Sequence, residues 1–298
     1  MAIRRKIVIT GATDGIGQRA ALRLAREGAD LVLTARNEEK ADRTRALIER
    51  AAPDTRVTVY PADFTDLESV AAAGRAIVRD HPAIDVLINN AGLHAFSQRV
   101  TGDGFAEMTS VNYLAPWLLT RIMRETLLRP SLSLSPSRAR PGPRIVTVAS
   151  QASRQSGAVD LDTVLADMSA FTARGSSRHY GRSKLMDIMF SLELARQLEG
   201  TGVSALCLCP GFNVTGLGRE LSFSTPLAGV LNFMGIGDPE RGAAIIARVA
   251  TDPAFDQRNG AYVSRRSDRD IAPFPPADDE GARRALWEKT EALLSRFL

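Results

Sequence analysis

The sequence predicts one α/β domain over residues 1–298, a doubly wound parallel sheet of about seven strands flanked by helices. Apolar, β-rich runs alternate with amphipathic helical runs along nearly the whole chain, the pattern of strands joined by crossover helices. The first such run stops at a glycine cluster, Gly11-Ala12-Thr13-Asp14-Gly15-Ile16-Gly17, that leads straight into a helical pattern. A chain of 298 residues can bury one full core, and neither an internal repeat nor a second domain interrupts it.

Composition bounds the function. Charged residues make up 24% and hydrophobic residues 44%, ordinary proportions for a soluble enzyme. The net charge of +4 is mild, and no Lys/Arg run interleaved with aromatics suggests nucleic acid, so an anionic cofactor is the smaller inference. No metal is expected. Cys207 and Cys209 would face one side of a strand, too close in sequence for ordinary bridging, and read as core thiols of a reducing compartment. No apolar run reaches membrane-spanning length, and residues 1–6 lead into a strand rather than a signal peptide, so the expected location is cytoplasmic.

In chain order, the first strand is Lys6–Thr10, and its glycine turn either admits a pyrophosphate at the helix start or serves only as a tight turn. The second strand, Asp30–Arg36, ends in Ala35 and Arg36 where an NAD-preferring site usually places a carboxylate. Arg36 can pair with a 2′-phosphate, which points to NADP(H), or sit solvated at a strand end. A helix over 38–52, a strand over 56–60 and a helix over 66–80 continue the alternation; Asp63 between the last two is an adenine partner or a plain loop acid. The strand Ile84–Ile88 runs into Asn89-Asn90-Ala91-Gly92, fixed hydrogen bonding at the sheet edge or turn chemistry.

Residues 109–129 read as an apolar helix in which Asn112, a mediocre helix former, needs a partner. A Ser/Pro/Arg-rich surface loop follows to Pro143. The strand Arg144–Ser150 ends in a hydroxyl that either meets a substrate carbonyl or caps the strand, and 151–177 read as irregular. From Tyr180 to Leu198 a helix carries two apolar stripes, Leu185, Ile188, Met189 and Leu192 on one and Met186, Phe190 and Leu194 on the other. Two stripes imply two buried sides, and a partner subunit is the simplest second surface, giving a homodimer or homotetramer. The strand Val203–Cys209 closes at Pro210-Gly211. The apolar stretch 212–237 is expected to be a substrate lid, although an ordinary buried helix fits it too. A helix from Asp238-Pro239-Glu240, a strand at Ala261–Val263 and a C-terminal helix over about 279–296 with Trp287 complete the domain.

Tyr180 and Lys184 are four apart on one helix face, so their ends can converge on one bound molecule. A phenol titrates near about pH 10 and exchanges protons poorly at neutrality unless a cation stabilises its phenolate; Lys184 supplies one.

Taken together, Thr10-Gly11-x-x-x-Gly15-Ile16-Gly17, Asn89-Asn90-Ala91-Gly92, Asn112, Ser150, Tyr180-x-x-x-Lys184 and Pro210-Gly211 with Thr215 resemble, in order, the motifs of the short-chain dehydrogenase/reductase family. The Tyr180 helix, the long Ser150–Tyr180 spacing and the Trp287-containing tail look most like its retinol-dehydrogenase-like branch, which acts on lipophilic carbonyls and alcohols. The resemblance implies a Rossmann-type fold and a catalytic set of Asn112, Ser150, Tyr180 and Lys184. Tyr180 would be the acid or base, Lys184 would bind the nicotinamide ribose and lower the tyrosine pKa, Ser150 would orient the substrate oxygen, and Asn112 would hold a relay water. Gly11, Thr13, Asp14, Gly15, Ile16, Gly17, Arg36, Asp63, Phe64, Asn90, Ala91, Gly92, Pro210, Gly211 and Thr215 would form the NADP(H) site together with Tyr180 and Lys184. Ala149 departs from the branch, which often carries a serine there, and the Ser/Pro/Arg loop is unusually rich. Of the histidines, His81 is expected at the surface, His94 at the pocket edge or in plain loop, and His179 beside Tyr180 without a role.

Four functions are weighed: an NADP(H)-dependent oxidoreductase for a hydrophobic ketone, aldehyde or alcohol, an NAD-preferring alcohol dehydrogenase, a non-catalytic dinucleotide-binding redox sensor, and a nucleotide-sugar epimerase or dehydratase. The complete catalytic set disfavours the sensor. The glycine spacing and the lack of a substantial C-terminal sugar domain disfavour the last.

Overall fold

The computed structural model describes residues 4–129, 142–211, 238–256, 258–265 and 269–298. The expected lid at 212–237, Thr215 and most of the Ser/Pro/Arg loop lie outside these residues. The strands are β1 (Lys6–Thr10), β2 (Asp30–Ala35), β3 (Val57–Pro61), β4 (Val86–Asn89), β5 (Arg144–Val148), β6 (Ser204–Cys209) and β7 (Tyr262–Ser264). They form one sheet in the order β3-β2-β1-β4-β5-β6-β7, with every neighbouring pair parallel. The chain winds outward from β1 to β3 and then restarts at β4 on the other side of β1. Helices cover both faces, so the central strands have two buried sides and read as unbroken apolar runs.

Alternate residues feed two cores. Val8, Val32, Leu87, Ile145 and Cys207 point into one cluster, and Ile7, Ile9, Leu31, Ile88 and Val146 into the other. The second is roofed by α1 (Gly15–Arg26), with Ile48 of α2 (Glu38–Ala51) and the apolar face of α6 (Pro239–Thr251). The first is roofed by α3 (Leu67–Asp80), α4 (Ala115–Leu128), α5 (Ala173–Gln197) and α7 (Glu280–Leu294). Several helix starts follow from acid or amide caps: Asp14, Asn37, Asp66, Asp238 and Asp279 each accept from a first-turn backbone N–H.

Three expectations change. The Tyr180 helix begins at Ala173 rather than at Tyr180, and the segment before it opens with a short 3-10 turn over Gln151–Gln155. The weak formers Gly175, Ser176 and Ser177 hide that start. The helix expected over 109–129 is α4 preceded by a π-helical turn at Ser110–Leu114 that contains Asn112.

The third change concerns what covers the second apolar stripe of α5. Both apolar stripes of α5 belong to the cluster that holds Leu286, Trp287 and Leu294 of α7. Trp287 lies between the two helices that looked unpartnered: its ring is 5.9 Å from Phe190 of α5, nearly parallel, and 5.1 Å from Trp117 of α4. Thr290 and Glu291 add polar contacts to Tyr113 and Arg121. The chain's own C-terminal helix is therefore the second surface, and the stripes give no reason to invoke a partner subunit. No helix among the described residues is long and apolar enough to cross a membrane.

Trp287→Ala should destabilise the fold by about 3–5 kcal/mol, as removal of a buried indole does when neighbours relax only in part. Urea denaturation read by circular dichroism checks this; a loss below about 1 kcal/mol would place the tail outside the core.

Candidate active site

Every residue of the expected site that is described lies at or near the carboxyl ends of the strands, the edge where open α/β sheets bind ligands. Between β1 and β4 the winding reverses, and the glycine turn fills that crevice. Gly11 has φ +65 and Gly15 φ +56, backbone that side chains rarely adopt. A Cβ on Gly11 would approach Ala91 Cα to 2.8 Å, and one on Gly17 would overlap Asn90 Nδ2 and the Gly11 carbonyl. The turn is thus a close-packed saddle, braced from β4. Thr10 Oγ1 accepts from the backbone N–H of Asn90 (3.0 Å) and Ala91 (2.9 Å). Asn90 Nδ2 donates to the carbonyls of Thr10 (2.9 Å) and Gly11 (3.2 Å). Asn90, expected to face the adenosine ribose, uses its amide hydrogens to hold the turn.

Above this saddle the N-terminus of α1 presents backbone N–H groups and a positive dipole end. Asp14 caps it through Gly15 N at 2.7 Å and lies 3.5 Å from the Lys40 ammonium, which offsets its charge. A saddle closed to any side chain beneath a helix start fits a dinucleotide pyrophosphate at Gly15, Ile16 and Gly17, with Thr13 in the same loop. At the end of β2, Arg36 is 70% exposed and 3.9 Å from Asp63 Oδ1. That carboxylate oxygen also accepts from Thr65 N (2.9 Å) and Thr65 Oγ1 (2.7 Å), so it is fixed while the guanidinium is largely free to meet an anion. Phe64 is buried beside it, and its carbonyl accepts from Ser110 Oγ.

The acid–base group gathers where α5 crosses the ends of β5 and β6. Gly181, next to Tyr180, permits the crossing: a Cβ there would stand 2.5 Å from the carbonyl oxygen of Ala152. With the helix this close, the Ser150 hydroxyl acts on the Tyr180 phenol and pulls its value down. Ser150 also caps the 3-10 turn, its Oγ accepting from Ala152 N at 3.1 Å. Behind Tyr180, the buried Lys184 ammonium donates to the Val148 carbonyl at 3.0 Å and to Asp187 Oδ2 at 2.8 Å. Lys184 Nζ is 6.0 Å from the centre of the Tyr180 ring. Gly92 keeps this corner open, since a Cβ there would touch Asn112 Oδ1 at 3.3 Å and Lys184 Nζ at 3.5 Å.

Asn112 is placed beside the cluster as expected, but its side chain is fully engaged. Its Oδ1 accepts from Leu93 N at 2.8 Å, and its Nδ2 donates to Leu93 O at 3.0 Å and Ser183 Oγ at 2.8 Å. The carboxamide therefore ties the β4 loop to α5. Three further residues belong to the site. His94 stacks on Tyr180 with ring centres 4.5 Å apart and on Phe96 at 4.8 Å, forming a flat wall against the phenol. Gly181 sets the helix distance. Asp187 is the buried partner of Lys184, and a carboxylate three residues on, among Leu185, Met186, Ile188 and Met189, was its visible sequence signal. Pro210 and Gly211 stand at the end of β6, with Gly211 at φ +80.

Burial pushes the Tyr180 phenol above its ordinary value; Lys184 pulls it down, Asp187 and Cys209 push it up, and the Ser150 hydrogen bond pulls it down. The net shift is upward, so the expected lowering by Lys184 is present but outweighed. Burial alone would lower Lys184, yet the Asp187 carboxylate and then Tyr180 hold it above its ordinary value. Burial lifts the Asp187 carboxyl to about 6 against the pull of Lys184. At neutral pH the cluster holds a protonated phenol, an ammonium and a carboxylate. Such a phenol can donate a proton to an oxygen that also meets Ser150. No group of ionisable side chains among the described residues could hold a metal ion.

The chain is similar to known proteins along most of its length. A short chain dehydrogenase family model matches residues 5–160. Human retinol dehydrogenase 14 is 32% identical over 97% of this chain and 86% of its own length. A Streptomyces protein described as a daunorubicin C-13 ketoreductase is 34% identical over 97% of this chain and 92% of its own. Among solved structures, an uncharacterized protein from Mycobacterium paratuberculosis superposes with a TM-score of 0.71 at 28% identity, covering 98% of this chain and 93% of that one.

Gly17→Ala should fold with a stability loss of about 1–3 kcal/mol from overpacking, and lose the thermal stabilisation that a dinucleotide confers on the unaltered protein. Melting curves with and without NADPH check it; a variant stabilised as much as the unaltered protein would take the turn out of the binding site.

Proposed function

Because the chain belongs to the short-chain dehydrogenase/reductase family and is on that ground an oxidoreductase, we propose that it interconverts a hydrophobic ketone or aldehyde and its alcohol, with NADP(H) as cofactor. One observation carries the reading: the buried Tyr180 phenol stands beside Ser150 and is backed by a buried Lys184 ammonium, 6.0 Å from its ring and held by Val148 O and Asp187. When bound, the nicotinamide supplies or accepts the hydride. The chain's own residues do the rest. Ser150 and Tyr180 converge on one oxygen, orienting it and supplying its proton as negative charge develops there. Lys184 stabilises the phenolate left behind, and offers its remaining donor toward the ribose side. In the oxidation direction Tyr180 takes the proton from the alcohol.

The upward shift of Tyr180 sets the pH dependence. A protonated acid is required for reduction, so that rate should fall only as pH rises through the phenol's value, while oxidation should climb with pH. The flat aromatic wall of His94 and Phe96 against Tyr180 favours a lipophilic substrate. NADP(H) over NAD(H) rests on Arg36, whose exposed guanidinium stands at the end of β2, where no carboxylate takes the ribose hydroxyls.

Two measurements test this. Tyr180→Phe removes only the phenolic oxygen, so NADPH binding should persist while kcat falls about 10²–10⁴-fold; Lys184→Ala should weaken cofactor binding as well. Near-normal turnover by Tyr180→Phe on a reactive carbonyl would refute the mechanism. Arg36→Ala should weaken NADPH by about 10–100-fold relative to NADH, the value of one charge-assisted phosphate contact. Equal weakening of both cofactors would remove the argument for NADP(H).

A further inference from the structure

The acid–base centre contains a charged group that the proposed mechanism does not use. Asp187 lies one helical turn beyond Lys184, its side chain 1% exposed, with Oδ2 2.8 Å from Nζ. Its other oxygen, Oδ1, is buried with no hydrogen-bond partner among the described residues. Isolated buried carboxylates are expensive, and an apolar residue would fill this helix position at no such penalty. The residues on either side, Met186 and Ile188, are buried and apolar. A structural salt bridge would leave fewer polar atoms stranded, so the carboxylate's place is explained by its partner.

We propose that Asp187 is a positioning residue of the acid–base centre, anchoring the Lys184 ammonium between its own carboxylate and the Val148 carbonyl and dividing the lysine's charge between itself and Tyr180. The inference rests on the assignment of Tyr180 and Lys184 as the acid–base pair. Two of the three ammonium hydrogens are directed inward, to Val148 O and Asp187. Without that anchor an exposed or swinging ammonium would approach the phenolate more closely. With it, Lys184 stays charged in a buried place and its pull on the phenol is moderated. The phenol is thereby kept in the proton-donating form at neutral pH.

Other titratable groups face the cluster. On β6, the Cys207 thiol is pushed up by burial and Cys209 faces Tyr180. On the π-helical turn, burial raises the Tyr113 phenol, which is hydrogen-bonded to Thr290. His94 stacks on Tyr180 from the β4 loop. Tyr262 of β7 is raised by burial. None of these is a cation placed to replace Lys184, and Asp187 is the carboxylate among them.

The test is Asp187→Asn, which keeps the shape and removes the charge. The readout is the ultraviolet phenolate absorbance of Tyr180, taken as the difference between each protein and its Tyr180→Phe counterpart, without cofactor or substrate. The midpoint should move to lower pH by roughly one unit, and the rising limb of alcohol oxidation with NADP⁺ should move with it. In a Lys184→Met background the same substitution should move the midpoint less, since only the direct push of Asp187 on the phenol is left to remove. A folded Asp187→Asn protein with an unmoved midpoint, or an equal shift with and without Lys184, overturns the proposal. If Asp187→Asn does not fold, folding of the Lys184→Met/Asp187→Asn double variant shows that the carboxylate serves the lysine, and failure of both overturns the proposal. A shifted phenolate midpoint in a protein that turns over no carbonyl or alcohol would uphold the role of Asp187 and sink the oxidoreductase reading of the site.

Discussion

The constraint on which the site depends is the burial of one ammonium group. Lys184 is 6% exposed at the side chain, and a charge so placed survives only with partners at short range. The sheet supplies one, the Val148 carbonyl at the end of β5. The helix supplies the other, Asp187. Everything nearby follows from bringing α5 down to that edge. Gly181 removes the Cβ that would strike Ala152, Gly92 removes the one that would crowd Lys184 and Asn112, and Asn112 stitches the β4 loop to Ser183 of α5. The geometry that keeps the lysine charged is also the geometry that sets the Tyr180 hydroxyl on Ser150.

The opposite half of the site uses main chain instead of side chains. A pyrophosphate requires backbone donors at close approach, and the glycine turn lets the start of α1 that carries them pack down on Asn90 and Ala91. Thr10 and Asn90 then use their hydrogen-bonding capacity on the turn itself. This division has a physical logic. An anion is held by many weak, fixed dipoles, whereas a proton is moved by one group whose pKa a few neighbours can shift.

Most of the architecture was legible in the sequence because parallel strands buried on both faces leave unbroken apolar runs, and because Asp14, Asn37, Asp66, Asp238 and Asp279 mark helix starts by their own chemistry. The Tyr180 and Lys184 pair was legible from helical spacing, and the glycine turn from its place after β1. What was not legible depended on tertiary packing. The first two turns of α5, Ala173 to His179, carry Gly175, Ser176 and Ser177, whose weak helix propensity hides the start. The second apolar stripe of α5 was real, but a stripe does not name what covers it; Trp287, more than 90 residues onward, does. The partners of Asn112 were hidden for a similar reason, since only the fold shows that Leu93 and Ser183 take its carboxamide. Asp187 was visible as a misplaced charge, yet its meaning required knowing where Lys184 points.

The C-terminal helix then appears as part of the site's support rather than as a tail. Thr290 Oγ1 shares a 2.7 Å hydrogen bond with the Tyr113 hydroxyl. Tyr113 is the neighbour of Asn112 in the π-helical turn, and Asn112 holds Ser183, whose hydroxyl in turn donates to the Tyr180 carbonyl at 2.9 Å. A continuous set of hydrogen bonds and covalent neighbours therefore runs from α7 to the backbone of the proton donor. In parallel, Trp287 packs on Phe190, one helical turn beyond Met186 on α5. A tail that clamps both α4 and α5 fixes the tilt of the helix on which Tyr180, Lys184 and Asp187 all ride. Because those three groups interact over a few ångströms, a small change in that tilt alters their mutual electrostatics more than it alters the core, which is why a contact so far along the chain bears on the chemistry at all.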